Sequence, residues 1–363
     1  MPRSIVAAAG LLALASASRA DEAVPPEVVR AVKQATVYIR VEAADWNKSG
    51  SGFVAAADGG TVLVVTNHHV AVKRPAGDAS PEPPAVKVVF DSGTRSERRY
   101  PAEVVAADIE HDLAVLRLTG VKDAPKPIPW ADPVAPVETM AVYSFGFPFG
   151  EELSAGKGSP AVTVGRASVS SLRNGDDGEL AAIQIDGNLN PGNSGGPVVD
   201  ARGRLVGVAV ASLKEGQGIG FLVPAAEVAR TMAGRVGRVR VTVRREGGGK
   251  PVARVEADLI DPAGAFRGAT AYYLVVPPGG ERPDAPALDE HPGSRRLPLE
   301  VGKGSAAGEI ALEKAEGELL VRVVAERRGG KAAAAKVRYV SLYPGPRPED
   351  LVGPPPEPWT DYV

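Results

Sequence analysis

At 363 residues the chain is too long for one small core, and a prior of roughly 100–200 residues per domain points to two folding units. Hydrophobic residues make up 44% and charged residues 24%, a balance that folds in water, while a formal net charge of -2 gives no field to draw in nucleic acid or anionic lipid. Cysteine is absent, which excludes disulfides, a thiol nucleophile and a lipid-modified cysteine.

The chain opens on Arg3, an apolar stretch over residues 5–15 and the small-x-Ala sequence Ser18-Arg19-Ala20, the pattern of an export signal cleaved ahead of Asp21. That stretch is well short of the roughly 20 apolar residues a spanning helix needs, and no later segment comes closer, so stable membrane insertion is not expected. Export without cysteines fits a bacterial envelope, whether periplasmic or secreted. Residues 26–34 read as a helix with proline at its start. From Thr36 to about Leu222, short β-branched apolar runs alternate with Gly, Pro, Asn and Asp, the texture of an all-β domain. The clearest strands are expected at 36–41, 61–66, 86–90, 113–118, 140–145, 161–169 and 205–211. Residues 73–84 hold four prolines and read as a surface loop. A second helix is expected over 224–232, where Val223, Val228 and Met232 fall near helical spacing.

After Gly234 the texture changes. Val239, Val241 and Val243 alternate with Arg238, Arg240, Thr242 and Arg244, which gives a strand with one wet face. Further strands are expected over 253–260, 271–276, 309–312, 318–326 and 334–342, the last two flanking Arg328-Gly329-Gly330-Lys331 as a hairpin. This spacing predicts a small antiparallel β-sandwich, immunoglobulin-like in its strand intervals, over 236–345. The proline-rich tail, 346–363, is expected to be disordered, and no internal repeat is visible.

An acyl-transfer enzyme needs a hydroxyl nucleophile, an imidazole to take and return its proton, a carboxylate to hold that imidazole and amide donors for the oxyanion. The nucleophile candidate is Ser194 in Gly192-Asn193-Ser194-Gly195-Gly196-Pro197, where glycines allow a tight turn and close approach of a substrate carbonyl. The amides of Gly192, Asn193 and Ser194 are the expected oxyanion donors. The base candidate is His69, at a strand end in Thr66-Asn67-His68-His69-Val70, and the carboxylate candidate is Asp112, which opens Asp112-Leu113-Ala114-Val115-Leu116. Taken singly, the paired histidines read equally as a metal fragment and the aspartate as a turn residue.

Together these segments resemble the trypsin-like serine proteases, specifically their HtrA/Deg branch, in which analogous motifs surround base, carboxylate and nucleophile in the same order. Asn190 to Pro197, Gly50-Ser51-Gly52-Phe53, Gly146-Phe147-Pro148-Phe149-Gly150 and Gly218-Ile219-Gly220-Phe221 extend the resemblance over roughly residues 25–235. It implies a two-barrel chymotrypsin-like domain over 21–235, serine endopeptidase activity on proteins or peptides, no cofactor and no metal. Residue by residue, it makes His69 the base, Asp112 its orienting partner and Ser194 the nucleophile, and leaves His68 outside catalysis. It also places Leu189 in the S1 pocket with Val210, Ala211 and Ser212 along one wall, an apolar lining suited to small or medium aliphatic side chains. Leu189 as a plain core residue remains the alternative. Many family members carry a PDZ domain with a carboxylate-capturing Gly-Leu-Gly-like loop. None is found after Gly234, so peptide-activated regulation and the family's cages are not carried over; the C-terminal unit is instead expected to fold independently and to meet a protein partner.

Chain order separates the rival hydrolases. Gly192-Asn193-Ser194-Gly195-Gly196 satisfies the Gly-x-Ser-x-Gly pattern of α/β-hydrolases, but those run Ser, acid, His, and subtilisins run Asp, His, Ser. Only the chymotrypsin arrangement runs His, Asp, Ser. Gly156-Lys157-Gly158-Ser159 lacks both the Ser or Thr directly after lysine and the earlier glycine of a phosphate-binding loop, and no His-Glu-x-x-His pattern supports zinc. The remaining alternatives are a catalytically silent binding or scaffold protein on the same fold and an esterase using the same residues.

Overall fold

The computed structural model describes residues 24–72, 82–153, 158–176, 178–210, 218–244, 250–283, 288–314, 316–330 and 332–342. The expected export signal, the tail, most of the loop at 73–84, and Ala211 and Ser212 lie outside them.

Helix α1 (Pro26–Ala35) starts on proline, whose missing N–H costs nothing at a first turn. Its last turn buries Val32 and Ala35, and Thr36 Oγ1 donates to the Val32 carbonyl at 2.8 Å as the chain turns extended. Strands β1 (Thr36–Glu42), β2 (Asn47–Asp58), β3 (Thr61–Thr66), β4 (Ala85–Phe90), β5 (Arg98–Asp108) and β6 (Leu113–Leu118) close a barrel in the order β1-β2-β3-β6-β5-β4. A one-turn helix, α2 (His68–Ala71), leaves β3. Strands β7 (Ala141–Gly146), β8 (Thr163–Asn174), β9 (Leu180–Ile185), β10 (Pro197–Val199), β11 (Leu205–Val210) and β12 (Gly220–Pro224) close a second barrel in the order β7-β8-β9-β12-β11-β10. The two orders are the same permutation, so the repeat lies in topology and left no trace in the residues.

The barrels share a core cluster, and the second barrel holds another of its own. Buried residues of the first run without a break into Tyr143, Phe145, Val199, Leu205, Val208, Val210, Phe221 and Val223 of the second. Each such side chain contributes about 1.5–3 kcal/mol when removed from water, so this shared cluster holds the two barrels together. This explains why β11, and β6 up to Leu116, read as continuous apolar runs rather than alternating ones: they are covered on both faces, whereas Arg117 of β6 is exposed.

Helix α3 (Ala225–Ala233) packs on β11 and β12 and hands the chain to the C-terminal unit. There β13 (Arg235–Arg244), β14 (Val252–Ile260), β15 (Phe266–Val276), β16 (Arg295–Gly302), β17 (Ser305–Ala311), β18 (Glu318–Arg327), β19 (Ala333–Ala334) and β20 (Arg338–Ser341) form one antiparallel eight-stranded sheet. The hairpin expected at 328–331 joins β18 to β19. Strand β16 pairs β15 through residues 295–299 and β17 through 300–302, so the sheet folds over and encloses its own apolar cluster. The unit also docks on the barrels. Ile260 of β14 belongs to the barrels' core at 1% exposure, Lys303 Nζ lies 2.7 Å from Glu103, and Arg327 donates to the Gly234 carbonyl.

Candidate active site

The turn between β5 and β6 delivers Asp112. The residue sits at φ +48°, a left-handed conformation that a non-glycine residue adopts at a cost of order 1 kcal/mol and holds only when its surroundings fix it. The surroundings do so: Asn67 Nδ2 (2.8 Å) and the His68 N–H (3.1 Å) both donate to the Asp112 carbonyl. Its carboxylate, 4% exposed for the residue as a whole, accepts the His69 backbone N–H at 2.9 Å on Oδ1 and faces His69 Nδ1 at 2.7 Å on Oδ2. An ionised carboxylate can only accept, so Nδ1 carries the hydrogen of neutral His69 and Nε2 is left as a proton acceptor. Lys48 Nζ donates to the His69 carbonyl at 2.7 Å and anchors α2 from β2. Both adjacent histidines thus donate a backbone N–H to Asp112, His68 to the carbonyl and His69 to the carboxylate, and His69 adds its ring.

Ser194 comes from the second barrel and is 4% exposed. Its carbonyl accepts the Ser51 N–H of β2 at 2.8 Å, and a Cβ placed on Gly50 would touch both that carbonyl (3.2 Å) and Val70 of α2 (2.6 Å). Gly195, at φ +85°, presses against the first barrel so closely that a Cβ there would lie 2.2 Å from the Ser51 carbonyl oxygen and 2.3 Å from Thr66 Oγ1. The glycine-flanked serine is therefore wedged against the end of β3 that leads into His69. Ser51 is the hub of this joint. Its Oγ donates to the Gly192 carbonyl at 2.6 Å and accepts the Phe147 N–H at 3.0 Å, while its own carbonyl accepts from Thr66 Oγ1 at 2.7 Å.

Peptide planarity orients the amides of the serine loop. The Pro191 carbonyl accepts the Phe149 N–H at 2.7 Å, so the Gly192 N–H on the same trans peptide points to the opposite side. The Asn193 N–H, expected as a third donor, instead closes a turn on the Asn190 carbonyl at 3.0 Å. The Gly192 N–H is thus turned away from Phe149, while the Asn193 N–H is engaged within the loop. The rings of Phe147 and Tyr38 meet tilted at 57° with centroids 5.2 Å apart, and Val89 lies beside them.

Leu189 is 2% exposed in the core of the second barrel, packed on Gly220, and Val210 is fully buried in the shared core. A second polar cluster, not picked out by its sequence, gathers Asp108, Glu110, His111, Glu227 and Arg235 behind the Asp112 turn. Burial alone would push the Asp108 carboxyl up, but the His111 hydrogen bond and the Arg235 charge outweigh it and hold it below the usual carboxylate range. A signal was available: two acids and a histidine in Asp108-Ile109-Glu110-His111 cannot all enter a core without a cation.

Two barrels of identical strand order, with an imidazole–carboxylate pair on the first and the Ser194–Gly195 turn of the second packed against that barrel, define the chymotrypsin-type fold of serine hydrolases. A family model described as a trypsin-like peptidase domain matches residues 50–208. The putative serine protease HhoB of Synechocystis is 30% identical over 322 residues, covering 84% of this chain and 68% of that protein. Protease Do-like 1 of Arabidopsis thaliana is 34% identical over 179 residues, covering 48% of this chain, which spans only 36% of the relative's length. The crystal structure of Deg5 is 25% identical over 56% of this chain and 90% of its own, with a TM-score of 0.44. The chain belongs to the HtrA/Deg family of trypsin-like serine proteases.

Proposed function

We propose that this chain is a serine endopeptidase that cleaves proteins or peptides through an acyl-enzyme on Ser194. In this reading His69 Nε2 takes the Ser194 hydroxyl proton as Oγ attacks the carbonyl and returns it to the leaving amine. Asp112 holds the ring, and the Gly192 and Ser194 amides receive the oxyanion. The observation that carries the reading is the 2.7 Å contact of His69 Nδ1 with a buried Asp112, built against a loop whose Gly192 amide is already turned away from Phe149. The same reading assigns a cleaved export signal to 1–20, the protease unit to 21–235, an accessory unit to 236–345 and an envelope location, periplasmic or secreted.

Labelling by a fluorophosphonate tests it. The label is expected on the wild-type chain, lost in Ser194→Ala and steeply reduced in His69→Ala, with substantial labelling kept in His68→Ala. Wild-type protein that takes no label supports the silent scaffold instead, and His68→Ala inactive beside normal His69→Ala overturns the residue assignment. Leu189 is apolar and packs on Gly220, and in this reading it gives the S1 pocket an uncharged lining. A peptide library is expected to be cut after small or medium aliphatic residues, and cleavage chiefly after Arg or Lys contradicts that assignment.

A further inference from the structure

Arg235 is the first residue of β13, directly after the Gly234 that caps α3. Its guanidinium turns back onto the β5–β6 turn. Nε lies 3.0 Å from Asp108 Oδ2, and Nη2 lies 3.0 Å from Asp108 Oδ1, 3.3 Å from Glu110 Oε2 and 2.7 Å from His111 Nδ1. Asp108, 1% exposed, also accepts Thr231 Oγ1 and the His111 N–H, each at 3.2 Å. Among the described residues, Asp108, Glu110 and His111 form a group whose ligand atoms all lie within 4.8 Å of one another, the spacing of a cation site. The cation that fills it is the Arg235 guanidinium.

This cluster sits at one end of the segment that ends in Asp112. Asp108 is the last residue of β5, opposite Leu113 in the ladder, and its carboxylate binds the turn from inside. The turn itself is weakly self-supporting: the Asp112 N–H reaches the Ile109 carbonyl only at 3.4 Å, and Asp112 is held at φ +48°. Asn67 and His68 clamp its far end, as described above. At the near end, among the described residues, the turn is fixed by the contacts of Asp108, by Arg235 on Glu110 and by His111 Nε2 on Glu227 at 3.4 Å; Asp108 is the deepest of these groups, and a carboxylate this deep keeps its charge and its place only while paired.

We propose that Arg235 is a positioning residue for Asp112: the C-terminal unit, through its first side chain, holds the turn that aims the carboxylate at His69. The inference rests on the serine-hydrolase reading of the site. It gives the C-terminal unit a part in the reaction that its distance in sequence conceals.

The full chain is compared with Arg235→Met, which keeps the stem and removes charge and fork, with Arg235→Lys, which keeps the charge, and with Lys303→Met, which cuts the exposed Glu103 pair across the same junction. Three quantities are read below each variant's unfolding transition: the rate of fluorophosphonate labelling, kcat and KM on a peptide, and the His69 ring resonances assigned by loss in His69→Ala. Misplacement of a catalytic group by about 1 Å can cost on the order of a hundredfold. Arg235→Met is therefore expected to lose about tenfold or more in labelling rate and kcat, with KM within about twofold and the His69 resonances shifted. Arg235→Lys is expected to fall between it and wild type, and Lys303→Met to match wild type in every readout. A folded Arg235→Met with wild-type rates and resonances overturns the proposal, as does an equal loss in Lys303→Met. Should Arg235→Met not fold, Arg235→Lys decides, and wild-type rates there overturn the proposal. Wild-type protein that neither labels nor cleaves removes the serine-hydrolase reading, and the His69 resonances alone then show whether Arg235 acts on the turn.

Discussion

Replacing Ser51 by alanine removes one oxygen from the middle of the joint between the barrels. Ser51 is fully buried, and its Oγ serves two backbone groups of the second barrel, the Gly192 carbonyl and the Phe147 N–H. Each loses its partner in Ser51→Ala, and leaving a buried backbone group unpaired costs about 1–3 kcal/mol. Phe147 is fully buried whereas Gly192 is half-buried, so water offsets part of the second loss. The sum is about 2–4 kcal/mol, far outside the ±0.5 kcal/mol usual for surface changes. Urea unfolding at constant m measures it directly. Catalysis carries a separate signature. Losing the tether removes one of the two hydrogen bonds of the Gly192–Asn193 peptide, leaving the Asn193 N–H on the Asn190 carbonyl, which loosens the donors on the flanking peptides without deleting one. The kcat loss is therefore expected at about 10–100-fold, below the 10²–10³ for outright removal of an oxyanion donor. Ser51→Ala with a stability change under about 0.5 kcal/mol and unchanged kcat refutes the assignment of Ser51 as the hub of the joint.

Asp108 ties stability to acid. Its folded-state pKa is depressed, so the stability it contributes is fully present above the ordinary aspartate pKa of about 3.9 and drains away as pH falls through the folded value. Urea midpoints are expected to hold steady at neutral pH and fall below about pH 4, and to fall less in Asp108→Asn; an identical acid limb in that variant speaks against the pairing. Truncation after Gly234 strips Arg235 from Asp108 and Ile260 from the barrel core, so the fragment is expected to melt well below the full chain. Calorimetry showing an unchanged transition for the barrels contradicts that coupling.

The strands legible in the sequence were those whose burial imposes a pattern. Residues 61–66 and 113–118 coincide with β3 and β6, and 26–34 with all but the last residue of α1, because apolar period and punctuation agree there. The strands that escaped are of another kind. Strand β5 carries Pro101 and β16 carries Pro298, and a proline normally argues against a ladder. Each lies in a half-strand with one neighbour: Pro101 pairs with Lys87 before β5 turns to β6, and Pro298 pairs with Thr270 before β16 turns to β17. The missing N–H therefore faces no second strand. Strand β10, with only three residues, is too short to show a period.

The site divides along a similar line. The residues of the reacting constellation announce themselves because chemistry restricts them to a few types, and the residue after the serine must be a glycine, since a Cβ on Gly195 would lie 2.2 Å from the Ser51 carbonyl oxygen of the other barrel. The residues that hold the constellation do not, since a serine or an arginine is ordinary anywhere. Ser51 sits between Gly50 and Gly52, and that small, polar, low-propensity stretch hid β2 for the same reason that it serves the site. A bulkier, more strand-like residue at Gly50 would collide with Val70 at 2.6 Å, and an apolar one at position 51 would leave the Gly192 carbonyl without its donor. Arg235 is hidden differently. In sequence it opens an alternating Val and Arg strand and reads as one more solvated cation, yet its side chain is 20% exposed and spent on the turn before Asp112. Spacing of 127 residues separates it from Asp108, and only the path of α3 across the second barrel brings the two together. Local sequence pattern therefore exposes the groups that react, while the groups that aim them become visible only when the chain's return path is known.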